Sequence, residues 1–292
     1  TGFEAAARNH AAAGAAIEGR ILPADRQIAV AGSGPVEAAI ARAAERTTVD
    51  FNFLLAQAEV ESAMDPSARA ATSSATGLYQ FIDSTWLNTV KRHGHRFGLG
   101  DLADQIDVSA SGDAWVADPG QRQAILSLRK DPQVAALMAA GLAEDNRAHL
   151  MPILGRQPSH AELYLAHFLG AGGAGRFLTE MQNDPGQNAS ALFSRAAAAN
   201  RPIFYAADGS PRSLAKVMDV IAGKLDRALA RAGGNPGEGQ PVRFARADYA
   251  GPADGAMNMS ASWTPSPYLI ADEAVFGPGT PAPVTQQGVP VA

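Results

Sequence analysis

The segment VDFNFLLAQAEVES, residues 49–62, holds a carboxyl in a setting suited to proton transfer. Leu54, Ala58 and Glu61 stand at i, i+4 and i+7, so they share one helical face. Phe51, Leu55, Ala58 and Ser62 form the adjoining stripe. Glu61 is thus the polar member of a largely apolar face, in the last turn before Asp65-Pro66 breaks the helix. Desolvation raises a carboxyl pKa, and the partial negative charge of a helix C-terminus acts in the same direction. A general acid for a glycosidic oxygen needs a carboxyl that keeps its proton near neutral pH. Glu59, two residues earlier, is expected to point to solvent. Taken alone, the spacing also suits a carboxylate at the solvated edge of a core.

The next residues carry more information. A small-residue loop, SARAATSSAT, leads into Gly77-Leu78-Tyr79-Gln80-Phe81, Asp83 and Thr85. This order resembles the lytic transglycosylase family, which has the soluble-lytic-transglycosylase domain and is related to goose-type lysozyme. In that family Glu-Ser at a helix end is followed by Pro and Ala, then by Gly-Leu-Met-Gln, an aliphatic residue and Thr. Glu61-Ser62 matches the first element, Pro66 and Ala68 the next, Gly77-Leu78-Tyr79-Gln80 the third and Thr85 the last. The Gly-Leu-Tyr-Gln-Phe variant looks like proteobacterial and large-phage members. Met64 replaces a usual aromatic residue, Tyr79 a usual Met and Asp83 a usual Pro. The spacing from Glu61 to Gln80 is one residue longer than the common form, so the loop is expected to bulge. Asp83 suits an N-cap for a helix starting at 84.

A third family element, Ala-Tyr-Asn-Ala-Gly, has its best counterpart in Ala166-His167-Phe168-Leu169-Gly170-Ala171-Gly172. The family Tyr aligns with His167, and Tyr164 lies three residues earlier on the same face. Either could supply the polar group opposite Glu61, with Tyr164 slightly preferred. Tyr164 and Phe168 also read as a plain core stripe at i, i+4. The resemblance spans about residues 45–182.

The resemblance implies cleavage of the β-1,4 bond between N-acetylmuramic acid and N-acetylglucosamine in peptidoglycan, giving 1,6-anhydromuramic ends. It implies Glu61 as acid and then base. Ser62, Gly77, Tyr79, Gln80, Tyr164 and His167 are the expected substrate contacts. Ser62 would bond Glu61 or the sugar, or else its own helix carbonyls. Gly77 would let backbone approach the sugar, Tyr79 would offer a flat face to a pyranose, and Gln80 would donate to an N-acetyl group. Tyr79 and Gln80 also suit packing and loop-fixing roles. A hydrolysing muramidase usually needs a second carboxylate. Asp65 and Asp83 are nearest, and Asp65 reads better as a turn cap. Two alternatives stay open: a muramidase acting on the same bond, and a non-catalytic peptidoglycan-binding or assembly protein.

Other signals are weaker. His93-Gly94-His95, beside Lys91, Arg92 and Arg96, reads as a solvated basic loop rather than a metal site. No metal or cofactor is expected. Gly170–Gly175 lacks the strand and Lys-Ser/Thr of a phosphate loop. Trp86 and Trp115 are expected in the core. A net charge of -5 without a dense Lys/Arg block argues against nucleic acid. The absence of cysteine excludes disulfide and thiolate chemistry. No apolar run approaches the ~20 residues of a membrane helix. The chain begins at Thr1, which fits either a processed export signal or a fragment. Periplasm or cell envelope is the expected location, with a phage-encoded origin also open, and a monomer is expected.

The helical pattern predicts an all-α domain over residues 34–231 with minimal strand content, and the resemblance implies that it is lysozyme-like. Helices are expected over 35–46, 50–63, 84–94, 119–130, 132–150, 160–169, 173–182, 189–199 and 212–231. Asp118-Pro119 and Asp131-Pro132 place an acceptor before a first-turn Pro. Ser159 with Glu162 forms a capping box. Residues 1–33 read as a flexible arm with a short helix at 3–18. Residues 232–292, rich in Gly, Pro, Ala and Ser, read as a low-complexity tail. Trp263, Tyr268, Leu269 and Ile270 in that tail could dock a protein partner.

Overall fold

The computed structural model describes residues 34–234. The expected arm with its helix at 3–18 lies outside the described residues, as do positions 235–292 with the Trp263 to Ile270 patch.

The fold is helical, as the periodicity requires. Helix α1 spans Pro35–Arg46, α2 Phe51–Ser62, α3 Asp83–His93 and the short α4 Gly100–Ala103. After a two-stranded hairpin come α5 (Pro119–Ser127), α6 (Pro132–Leu154) and α7 (His160–Asn183). Three short helices follow, α8 (Ala189–Leu192), α9 (Ser194–Ala199) and α10 (Arg201–Phe204), before the closing helix α11 (Leu214–Arg231).

The caps set these starts. Asp118 accepts from the Gln121 amide, and Asp131 from those of Gln133 and Val134. The capping box of Ser159 and Glu162 is formed in both directions. The two expected helices at 160–169 and 173–182 are one run bent at Gly170, whose φ of 74° and ψ of 160° only glycine adopts freely.

One apolar core runs from Ile40 on α1 to Leu229 on α11. Helix α6 lies between α1 and α7, and α11 packs on both α2 and α7. The buried residues of α11 (Leu214, Val217, Met218, Ile221, Leu225, Ala228 and Leu229) recur at helical spacing. Among the described residues the strand content is the hairpin of β1 (Asp107–Val108) and β2 (Ala114–Trp115), antiparallel with Asp107 opposite Trp115.

Four local expectations are corrected. Trp86 is fully buried and its indole N–H donates to the Ile125 carbonyl at 2.8 Å, but Trp115 is 49% exposed because β2 sits at the edge of a two-stranded hairpin. His93 is buried, not solvated: its Nε2 meets Asp145 at 2.8 Å, and residues 94–97 continue as a 3-10 turn. Asp83 is the first residue of α3, after Ile82 as N-cap, and its carboxylate is held by Arg122 and Arg129 at 2.7 and 2.8 Å. Glu59 does not point freely to solvent; it pairs with Arg231 of α11 at 2.7 Å.

Candidate active site

Glu61 stands in the last turn of a helix that is buried almost all round. Asp50 caps the start of α2 by accepting from the Phe53 amide at 3.1 Å. The chain leaves the helix through Ala63 and Met64, with φ of 51° and 65°. Two consecutive non-glycine residues in the left-handed region are costly, and they turn the chain sharply away just past Glu61. The carboxyl itself is 2% exposed.

Helix α7 faces it. Glu162, fully buried, takes a two-pronged ion pair from Arg156 at 2.8 Å per contact and accepts from the Ser159 amide at 2.7 Å. Those bonds fix the first turn of α7, and the next turn carries Tyr164. The Tyr164 hydroxyl donates to Oε1 of Glu61 at 2.7 Å. One turn on, His167 places Nε2 at 3.6 Å from the same oxygen, beyond hydrogen-bond reach. His167 Nε2 is buried and has no hydrogen-bond partner within the described protein. Of the two expected partners of Glu61, Tyr164 bonds it and His167 stands beside it without a hydrogen bond, their rings 5.9 Å apart. Tyr164 is also 1% exposed and part of the core, so the packing role and the contact with Glu61 coexist.

The electrostatics follow from burial. Desolvation pushes the Glu61 carboxyl up to about 7, against the opposing pulls of the Lys224 charge and the Tyr164 hydrogen bond. Burial holds the His167 imidazole down to about 4, so it is neutral at pH 7. Burial, then the neighbouring Glu61, keeps the Tyr164 phenol well above its ordinary range. The site therefore holds a carboxyl balanced between acid and base, a hydroxyl donor and a neutral imidazole. Among the described residues no group of three or more His, Cys, Asp or Glu is arranged to hold a metal ion.

Residues 74–82 lie against the end of α2. Ser62 Oγ is 2.8 Å from the Leu78 carbonyl and 3.1 Å from that of Ala58, so its hydroxyl ties this segment to the helix rather than to Glu61. Gly77 has φ of 84°, and a Cβ there would sit 1.9 Å from the Arg129 carbonyl oxygen. The close approach that demands glycine within the protein is to the Arg129 carbonyl. Tyr79 is fully buried, with its hydroxyl donating to the Leu54 carbonyl at 3.2 Å, so it presents no open face for a sugar. Gln80, also fully buried at φ 48°, spends its amide N–H groups on the Gly77 and Ala68 carbonyls at 2.8 and 3.3 Å. Its Oε1 and that of Gln57, one turn before Glu61, lack a hydrogen-bond partner within the described protein. Two isolated antiparallel bridges, Arg69 with Thr76 and Thr76 with Phe81, close the loop. Arg129 pins the segment by donating to the Ser74 and Phe81 carbonyls at 2.8 and 2.9 Å.

Lys224 is the residue that motif reading missed. It interacts electrostatically with Glu61 from α11, and its ammonium is lowered to about 8 by burial, partly offset by Glu61. A signal was present: Val217, Ile221, Lys224 and Ala228 share one helical stripe, so a cation interrupts an otherwise apolar face.

Residues 38–107 match the family described as Transglycosylase SLT domain. The matched segment contains Glu61, Ser62, Gly77, Tyr79 and Gln80, while Tyr164, His167 and Lys224 lie beyond it. That match agrees with the resemblance carried by the motifs around Glu61 and Gln80.

Proposed function

We propose that this domain is a peptidoglycan lytic transglycosylase in which Glu61 acts first as acid and then as base. The observation that carries the reading is the state of one carboxyl: buried, raised to about 7, and bonded by Tyr164 at 2.7 Å. A group of that pKa can both donate and accept a proton near neutral pH. In the first step Glu61 gives its proton to the glycosidic oxygen, the bond from C1 of N-acetylmuramic acid breaks, and N-acetylglucosamine leaves as the alcohol. Positive charge develops at C1 and the ring oxygen. In the second step the Glu61 carboxylate takes the proton of the C6 hydroxyl, and O6 bonds to C1. The product is a 1,6-anhydromuramic end, and Glu61 is protonated again. No water is consumed, because nucleophile and electrophile belong to one sugar.

Tyr164 supports this cycle by donating to whichever form of Glu61 is present, more strongly to the anion. The His167 imidazole, neutral and 3.6 Å away, can close up as a second donor when Glu61 ionises. The sequence-adjacent carboxylates do not favour hydrolysis: Asp65 accepts from Ser67 in a turn, and Asp83 is held by two arginines. A peptidoglycan substrate implies work in the periplasm or envelope. Among the described residues no helix is long and apolar enough to cross a membrane.

Digestion of purified sacculi, with mass analysis of the released ends, tests the reading. Anhydro ends support it. Reducing ends would assign the hydrolytic alternative, and no soluble fragments at all would favour a binding or assembly role.

A further inference from the structure

Helix α11 lies outside the matched family segment yet packs on both helices that carry the site. Two contacts fix how it runs against α2. Gly234, just past α11, comes up beside Asn52 in the first turn of α2, and Arg231 pairs with Glu59 at 2.7 Å. The two helices are therefore antiparallel. Counted from the Asn52–Gly234 contact, Glu61 lies nine residues on along α2 (52 to 61) and Lys224 ten residues back along α11 (234 to 224), so antiparallel packing brings the two to about one level. Lys224 stands on the same stripe as the buried Val217, Ile221 and Ala228, facing the core.

We propose that Lys224 is a positioning residue of the site: its ammonium is the fixed counter-charge that Glu61 meets each time it becomes a carboxylate. The role in the reaction rests on the acid-base reading above; the pairing of the two groups does not. When Glu61 gives up its proton in a buried site, the anion needs stabilising by groups already in place. Tyr164 supplies one hydrogen bond, and Lys224 supplies charge. The same charge opposes the rise that burial imposes on the Glu61 carboxyl. The groups acting on Glu61 include Lys224 from α11 and Tyr164 from α7, with the neutral His167 3.6 Å from Glu61. Those acting on Lys224 include Glu61, Arg227 and Arg231, the last also engaged by Glu59. Further along, His160 of α7 faces Asp50 and Asp226 and belongs to a separate cluster.

The test is a carboxyl-carbon NMR titration of Glu61 in the full chain, for wild type, Lys224→Met and Lys224→Arg. Methionine keeps the length and apolar stem of lysine. Lys224→Met should raise the Glu61 midpoint by about one unit, the typical effect of a nearby opposite charge, and Lys224→Arg should restore it. Glu61→Gln should in turn lower the Lys224 ammonium midpoint by a matching amount, because one coupling acts in both directions. On sacculi, the ratio of Lys224→Met to wild-type activity should rise with pH; damage to folding would lower activity equally at every pH. An unmoved Glu61 midpoint in Lys224→Met overturns the proposal. If that variant does not fold, an unmoved Lys224 midpoint in Glu61→Gln does so. Because the titrations need no substrate, they stand even if the protein releases nothing from sacculi.

Discussion

The Tyr164 hydroxyl donates to Oε1 of Glu61 across 2.7 Å, joining two helices whose residues are 103 positions apart. Both groups are buried, so the bond is shielded from competing water, and it is the most direct link between α2 and α7 at the site. Removing it has a defined consequence.

Tyr164→Phe keeps the ring and deletes the donor. A hydrogen bond to a charged group contributes about 1.5–3 kcal/mol, so kcat/KM on glycan strands should fall roughly ten- to a hundredfold. The hydroxyl favours the carboxylate of Glu61, so the basic limb of the pH profile should also move to higher pH. Steady-state assays across pH check both effects.

The raised Glu61 carboxyl predicts a pH-dependent stability. The unfolded chain releases this proton near the ordinary 4.5, whereas the folded protein holds it to about 7. Its contribution is therefore full below the unfolded value and is lost as pH rises through about 7. At about 1.4 kcal/mol per unit, the loss is a few kcal/mol at most. Lys224, depressed to about 8, loses its contribution as pH falls through that value and is constant across the lower window. Between pH about 5 and about 7, the Tm of wild type should fall relative to that of Glu61→Gln; calorimetry at matched ionic strength measures it.

Gly77→Ala should be severe. The new Cβ would meet the Arg129 carbonyl oxygen at 1.9 Å at a φ of 84°, so backbone must move. A loss of about 3 kcal/mol or more is expected from strain and overpacking together, read as a large drop in Tm.

Tyr79→Phe separates two readings of one residue. The Tyr79 hydroxyl bonds the Leu54 carbonyl at 3.2 Å from a fully buried position. The variant should lose about 1 kcal/mol of stability, one buried hydrogen bond, with KM for glycan unchanged. A sugar-stacking Tyr79 would show no such stability loss, because its hydroxyl would face solvent.

These cases show what sequence could and could not carry. The helices around the site are local matters: Asp50, Asp131 and Ser159 state their starts, and the apolar spacing of α2 marks its inner face. Glu61 was legible because a polar residue in an apolar stripe at a helix end is unusual, and because the Gly77–Phe81 pattern follows it. Directions of side chains within that pattern were not legible. Gly77 answers to Arg129, Ser62 to Leu78 and Tyr79 to Leu54, and each partner is set by how the loop folds back, not by spacing. The choice between Tyr164 and His167 depended on the bend and rotation of α7, which the capping box fixes but does not announce. Lys224 is the clearest case: its place on the α11 stripe hinted at burial, but its electrostatic interaction with Glu61 depends on how α11 packs against α2.

In the proposed reaction one carboxyl performs both proton transfers. Its most direct test is the rate of fragment release from sacculi by Glu61→Gln, with circular dichroism confirming the fold. The amide is isosteric, and loss of general acid and base action removes about a hundredfold to ten-thousandfold in rate. Glu61→Gln should lose at least that much activity with helicity and Tm retained at acidic pH. A folded Glu61→Gln that releases anhydro fragments at the wild-type rate would contradict it.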